Sequence, residues 1–80
     1  MKLPRDLDAG SFIKKLNELG YHKTRQVGSH IRLTLHLNDK ENHITIPNHN
    51  PIKIGTLNSI LKEIANQLGI TKEELTERIF

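Results

Sequence analysis

The sequence predicts an α+β fold, a three-stranded antiparallel sheet with helices packed on one face, in the order α-β-β-β-α with a short C-terminal helix appended. Three observations predict it. Apolar residues recur at helical spacing in two separated segments, and three short segments between them alternate with the period of a strand. The turns joining those three segments are too short for a parallel crossover, which leaves an antiparallel meander. The 80 residues contain no internal repeat, low-complexity segment or linker, so a single domain is expected over 1–80.

The first helix is read over residues 9–19, where Ala9, Phe12, Ile13, Leu16 and Leu19 line one face. Asp8 is placed to cap its N-terminus, and Gly20 stops it. Strands follow at 21–27 and 29–37. In the second, Ile31, Leu33, Leu35 and Leu37 fall on one face, with His30, Arg32, Thr34 and His36 on the other. Gly28 between the two runs permits a tight turn or bulge. Asn38-Asp39-Lys40-Glu41-Asn42 reads as a polar turn, and His43 to Ile46 as a third strand ended by Pro47.

Asn48 to Lys53 is a loop punctuated by proline, and a second helix runs from about Gly55 or Thr56 to Leu68. Its stripe is Leu57, Ile60, Leu61, Ile64 and Leu68, and Gly69 closes it. A third helix opens with Thr71, whose hydroxyl can form a capping box with Glu74. With Leu75 and Ile79 as its only long apolar side chains before Phe80, it is expected to pack weakly or to meet a partner.

Two main helices cover one face of such a sheet and leave the other in water. The second strand sets His30, Arg32, Thr34 and His36 on that open face. The element order is that of the double-stranded-RNA-binding domain.

A chain this short buries only about 60% of its unfolded surface, so a deep catalytic cavity is not expected. Chemistry belongs on an open surface, with a polymer or a protein laid across it. The absence of cysteine removes disulfides and thiolate metal sites. Met1-Lys2-Leu3-Pro4-Arg5-Asp6 offers no apolar core for a signal peptide, and no stretch reaches the roughly 20 apolar residues of a membrane span. Cytosol is the expected location. Residues 1–62 hold ten basic and five acidic side chains, whereas 63–80 hold two and four. A basic body with an acidic tail suits a polyanion on one side, although ordinary surface charge explains a net +3 equally well.

Five histidines are the chain's chemical candidates: His22, His30, His36, His43 and His49. Their spacing is long and irregular for a metal site, and His30 and His36 on one strand stand about 20 Å apart, too far to share an ion. No metal or other cofactor is expected. His30 is distinguished by its setting, directly after Gly28-Ser29 at the start of a strand, with Arg32 on the same face. Strict alternation puts Lys23 and Arg25 on one face with Tyr21 and Val27, so Arg32 has the better claim to stand by His30. RNA carries its own nucleophile in the 2′-hydroxyl, and an imidazole can move the required protons near neutral pH. Arg32 could stabilise the charge developing on phosphorus. The products would be a 2′,3′-cyclic phosphate and a 5′-hydroxyl, and DNA would be inert.

Arg25-Gln26-Val27-Gly28-Ser29-His30-Ile31-Arg32-Leu33 resembles the Gly-Ser-His segment of HicA toxins, also called the YcfA-like family. Leu3-Pro4-Arg5-Asp6 resembles the family's opening, and Leu16-Asn17-Glu18-Leu19-Gly20-Tyr21 the end of its first helix. His43-Ile44-Thr45-Ile46-Pro47-Asn48-His49 is similar to its third strand and following loop. Ile54-Gly55-Thr56-Leu57-Asn58-Ser59-Ile60-Leu61-Lys62 is similar to the start of its second helix. Order and spacing agree over nearly the whole chain.

The resemblance implies a stress-response toxin that binds and cleaves messenger RNA on a double-stranded-RNA-binding-like fold, with His30 as the catalytic residue. It also implies a HicB-type antitoxin that docks on the toxin, hides His30 and holds it in a toxin–antitoxin hetero-oligomer. The RNA contacts expected on this reading are Gly28, Ser29, Arg32, Arg25 and Lys23, with His49 at a matching loop position. The acidic segment 70–80 is assigned to packing or to the partner. The competing reading is a non-catalytic RNA-binding or protein-interaction module on the same fold, with His30 only touching phosphate.

Overall fold

The computed structural model describes residues 3–80. Met1 and Lys2, which open the stretch read for a signal peptide and the 1–80 domain, lie outside the described residues. Helix α1 spans Ala9–Glu18 and is capped as its sequence dictates, with the Asp8 carboxylate accepting a 2.7 Å hydrogen bond from the Ser11 N–H. That bond, reinforced by the Ser11 side chain, holds the Asp8 carboxyl below its usual pKa. Ala9, Phe12 and Leu16 are buried, so the apolar stripe does face the core.

Strands β1 (His22–Val27), β2 (His30–Leu37) and β3 (Lys40–Pro47) form one antiparallel sheet in the order β1-β2-β3. Gly28 has a φ of 57°, the left-handed conformation a two-residue hairpin turn requires. Helix α2 spans Ile54–Leu68 and α3 spans Lys72–Ile79. The molecule measures 34 × 31 × 18 Å, and the short dimension is that of one helical layer on one sheet. Leu33, Ile44 and Ile46 of the sheet, Phe12 and Leu16 of α1, and Leu57, Leu61 and Ile64 of α2 are all at most 2% exposed. Burial on this scale contributes about 1.5–3 kcal/mol per large aliphatic side chain.

Three expectations need correction. The polar turn is only Asn38-Asp39, with φ of 53° and 63°, and β3 begins at Lys40 rather than His43. Lys40, Glu41 and Asn42 pair with Leu37, His36 and Leu35, because the backbone ladder extends the strand whatever the polarity of its side chains. Second, the alternation of β1 is broken. The register shifts between Lys23 and Arg25, so Thr24 is an extra, bulged residue. Third, α3 does not pack weakly. Leu75, Thr76 and Ile79 are buried, and Phe80 stacks on Phe12 at 6.3 Å with the Lys15 ammonium over its ring. The capping box between Thr71 and Glu74 is present as read.

Candidate functional site

Residues paired directly across an antiparallel sheet share a face, so the register lays out the open face in rows. The first row, beside the β1–β2 turn, is Val27, His30 and Pro47. The second is Arg25, Arg32 and Thr45. The third is His22, Thr34 and His43, and the fourth holds His36 and Glu41. The bulge at Thr24 is what brings Arg25 here. Without it Arg25 would share the face of Lys23, which pairs with Leu33 on the helix-covered side.

His30 therefore stands exposed at the end of the face, with two guanidiniums abreast in the next row, about 7 Å further along at the usual strand rise. Neither of these two rows contains an acid. Arg32 is half-buried, which steadies it, whereas Arg25 is exposed on the edge strand. Val27, at 60% exposed, leaves an apolar surface directly beside His30. The Gly28-Ser29 turn is tied to the far side of the sheet by a 2.6 Å hydrogen bond from the Asn48 N–H to the Ser29 carbonyl. That bond fixes both flanks of His30, since Pro47 is its strand partner.

The loop after β3 is anchored as well. The Asn50 side chain accepts from the Ala9 N–H, and the Ile52 N–H donates to the Leu7 carbonyl, joining this loop to the start of α1. His49 lies two residues beyond Pro47 and lines a pocket of about 460 Å³ together with Lys53 and Thr56 at the start of α2. The structure thus brings Gly28, Ser29, His30, Arg32 and Arg25 to one end of the sheet and sets His49 on the adjoining loop. Lys23 lies on the other face by register, and its ammonium donates to the Gln26 side chain at 2.7 Å, whose amide donates in turn to the Gly28 carbonyl.

The opposite end of the open face is differently built. Thr34, expected in water, is only 2% exposed, because Thr24 and His43 close over it. Its hydroxyl lies 2.8 Å from the Thr24 hydroxyl and 2.9 Å from the His43 Nδ1. The Glu41 carboxylate sits between His43, at 3.5 Å, and His36, at 4.0 Å. The His22 and His36 rings stack at 6.0 Å with their planes 21° apart. Among the described residues no group of three or more His, Asp or Glu is arranged to hold a metal ion. Sequence reasoning did not single out Val27, Thr45 or this cluster. The histidine count and the alternation that set Thr34 and His36 on the open face were the available signals, and register was needed to join them to His22, Glu41 and His43.

A family model described as "HicA toxin of bacterial toxin-antitoxin" matches residues 11–70. The match includes the whole sheet, the loop after it and all of α2. Searches of the curated proteins and of the solved structures found no match. No helix among the described residues is long and apolar enough to cross a membrane.

Proposed function

The chain belongs to the HicA toxin family of bacterial toxin–antitoxin systems, and from that premise we propose that it is an endoribonuclease that cleaves messenger RNA in the cytoplasm through His30. The observation that carries this reading is the acid-free end of the sheet, where an exposed imidazole stands one row from two arginines. A phosphodiester laid over Arg25 and Arg32 has its charge matched, with an imidazole next to it. A polymer fits because the face is open and flat rather than enclosed.

The 2′-oxygen attacks phosphorus, and its proton leaves to a base. The bond from phosphorus to the 5′-oxygen breaks, and that oxygen takes up a proton. A 2′,3′-cyclic phosphate and a 5′-hydroxyl result. His30 moves one of those two protons, and the arginines stabilise the charge gathering on the phosphoryl oxygens. The substrate supplies the nucleophile, so this scheme calls for no activated water. Gly28 and Ser29 hold the turn that presents His30, Lys53 extends the cationic surface along the strand of RNA, and His49 beside it offers a hydrogen-bonding contact. A HicB-type antitoxin in a hetero-oligomer would silence the toxin by covering His30. Val27 offers such a partner an apolar contact at that point.

The test is to induce the wild type and His30→Ala in cells, follow growth and message integrity, and assay both purified proteins on RNA and on the same sequence as DNA. The wild type should arrest growth and cut only RNA. The variant should lose about 10²- to 10⁴-fold in rate while keeping its fold and its RNA affinity. If both proteins are harmless, or both equally toxic with message intact, the chain is a non-catalytic binding module and His30 no catalyst.

A further inference from the structure

The cluster at the far end of the open face is not explained by phosphate binding. It centres on the Glu41 carboxylate, which repels a phosphate. It is also about 13 to 20 Å along β2 from His30, by the distance from His30 to Thr34 and to His36 at the usual rise. Yet it is organised. His43 is fixed by its Nδ1 bond to a buried threonine, and the exposed Glu41 carboxylate lies 3.5 Å from His43 and 4.0 Å from His36. His22 and His36 are exposed, near-parallel rings at the outer surface of the sheet.

We propose that this cluster is a nucleobase subsite, in which a base of the RNA a few nucleotides from the cut stacks on the His22–His36 pair and donates from its Watson–Crick edge to Glu41. The inference rests on the ribonuclease reading of the His30 end and names what guides the substrate there. Single-stranded RNA is commonly recognised by bases splayed onto aromatic side chains, histidine included, with their edges hydrogen-bonded. A sheet face is suited to this, because rows of side chains stand in the path of an extended strand.

The carboxylate decides which base. Ionised Glu41 is an acceptor only. Guanine presents two adjacent donors on its Watson–Crick edge, the N1–H and the N2 amine, which match the two oxygens of a carboxylate. Cytosine and adenine present one amine beside an unprotonated ring nitrogen. Uracil presents one N–H between two carbonyl oxygens that face the carboxylate unfavourably. The site therefore prefers guanine and disfavours uracil. It gives the enzyme a sequence preference without any contact at the scissile phosphate.

The experiment uses the full chain carrying His30→Ala, which binds RNA without cutting it, and a set of uridine-rich oligoribonucleotides with a single guanosine moved one position at a time. One position should bind about ten-fold tighter than the all-uridine control. Adding His22→Ala and His36→Ala should remove that gain, and restoring a flat ring as His36→Phe should recover much of it. Glu41→Gln should shrink the preference for guanosine and strengthen binding of the all-uridine strand, since it removes a charge that repels phosphate and opposes the uracil carbonyls. Both histidines are exposed, and a thermal melt of each variant verifies that the fold is kept.

Equal binding at every guanosine position overturns the proposal, as does a preference that survives both histidine changes. So does a histidine double variant that leaves RNA binding unchanged and instead weakens capture of the antitoxin, since the cluster then belongs to a protein partner. Wild-type cleavage with no base preference sinks this inference alone. Absence of both cleavage and RNA binding sinks the ribonuclease reading beneath it as well.

Discussion

The two ends of one sheet face use similar side chains to opposite effect. At the turn end, His30 stands exposed beside two arginines and no acid shares its two rows. At the other end, the hairpin end beside the Asn38-Asp39 turn, His22 stacks on His36, His43 bonds Thr34, and Glu41 lies beside His36 and His43. An imidazole that must exchange protons with a substrate needs free nitrogens and a field that attracts phosphate. One that must present a flat surface needs to be held still. The comparison teaches that the number of histidines carries little information, whereas the row each occupies carries most of it.

After His30→Ala, the largest expected effect comes from the arginines that set the turn end apart. Exchanging Arg25 and Arg32 together for glutamine removes both cations of the second row. If each contacts one phosphate, the slope of log affinity against log salt should flatten by about 1.4 for a single-stranded RNA. Lys23→Gln removes the same charge from the other side of the sheet and should leave the slope nearly unchanged. Equal slopes in the two variants would show that the face does not steer RNA, and the contrast between the ends would lose its electrostatic half.

That Lys23 and Arg25 part company could not be read from the sequence. The alternation of β2 is legible because one side of it is apolar, from Ile31 to Leu37, and that pattern placed His30 and Arg32 correctly. The β1 segment has a single apolar residue, Val27, and is exposed at every position, so no apolar face fixes its phase. Its bulge is decided by pairing with β2, in which Thr24 finds Thr34. Glu41 was hidden for the same reason, since a polar strand end and a polar turn look alike until a partner strand is present. The packing of α3 was missed because the partner of Phe80 is Phe12, in α1 at the other end of the chain. What was legible rests on local periodicity and capping, as at Asp8 and Thr71. What was not depends on contacts distant in sequence.

A smaller effect should separate the two ends by stability. Thr34→Val keeps the shape of the strand and its β preference but deletes the hydroxyl that joins Thr24 to His43. The loss of two hydrogen bonds at a buried site should cost about 1–2 kcal/mol, measured by denaturant midpoint. Cleavage in the first two rows should be little altered per folded molecule. A large fall in rate with stability preserved would mean that the ends are coupled through β2, and the comparison would have to be redrawn.

The smallest effect concerns the underside of the hairpin end, where Tyr21 supports it from within the core. The Tyr21 hydroxyl donates to the Gln67 side-chain Oε1, and the Gln67 Nε2 donates in turn to the His43 backbone carbonyl at 2.8 Å. Burial, with a lesser contribution from the Glu63 charge, pushes the Tyr21 phenol up to about 12. A phenol held protonated in the folded chain above its unfolded value of about 10 contributes stability that is complete below pH 10. That contribution is lost as pH rises through the folded value. Tyr21→Phe removes the hydrogen bond at all pH values, at about 1 kcal/mol, and also removes the ionisation. The difference in denaturant midpoint between wild type and variant should therefore be constant from pH 7 to about 9. It should narrow from about pH 10 and reverse sign before about 12, as the wild type alone is forced to bury a phenolate or unfold. Subtracting the variant cancels the lysine titrations in the same range. A difference that stays constant to pH 12 would mean that Tyr21 ionises without disturbing the fold. In that case Gln67, rather than Tyr21, is what holds His43 and the hairpin end in place.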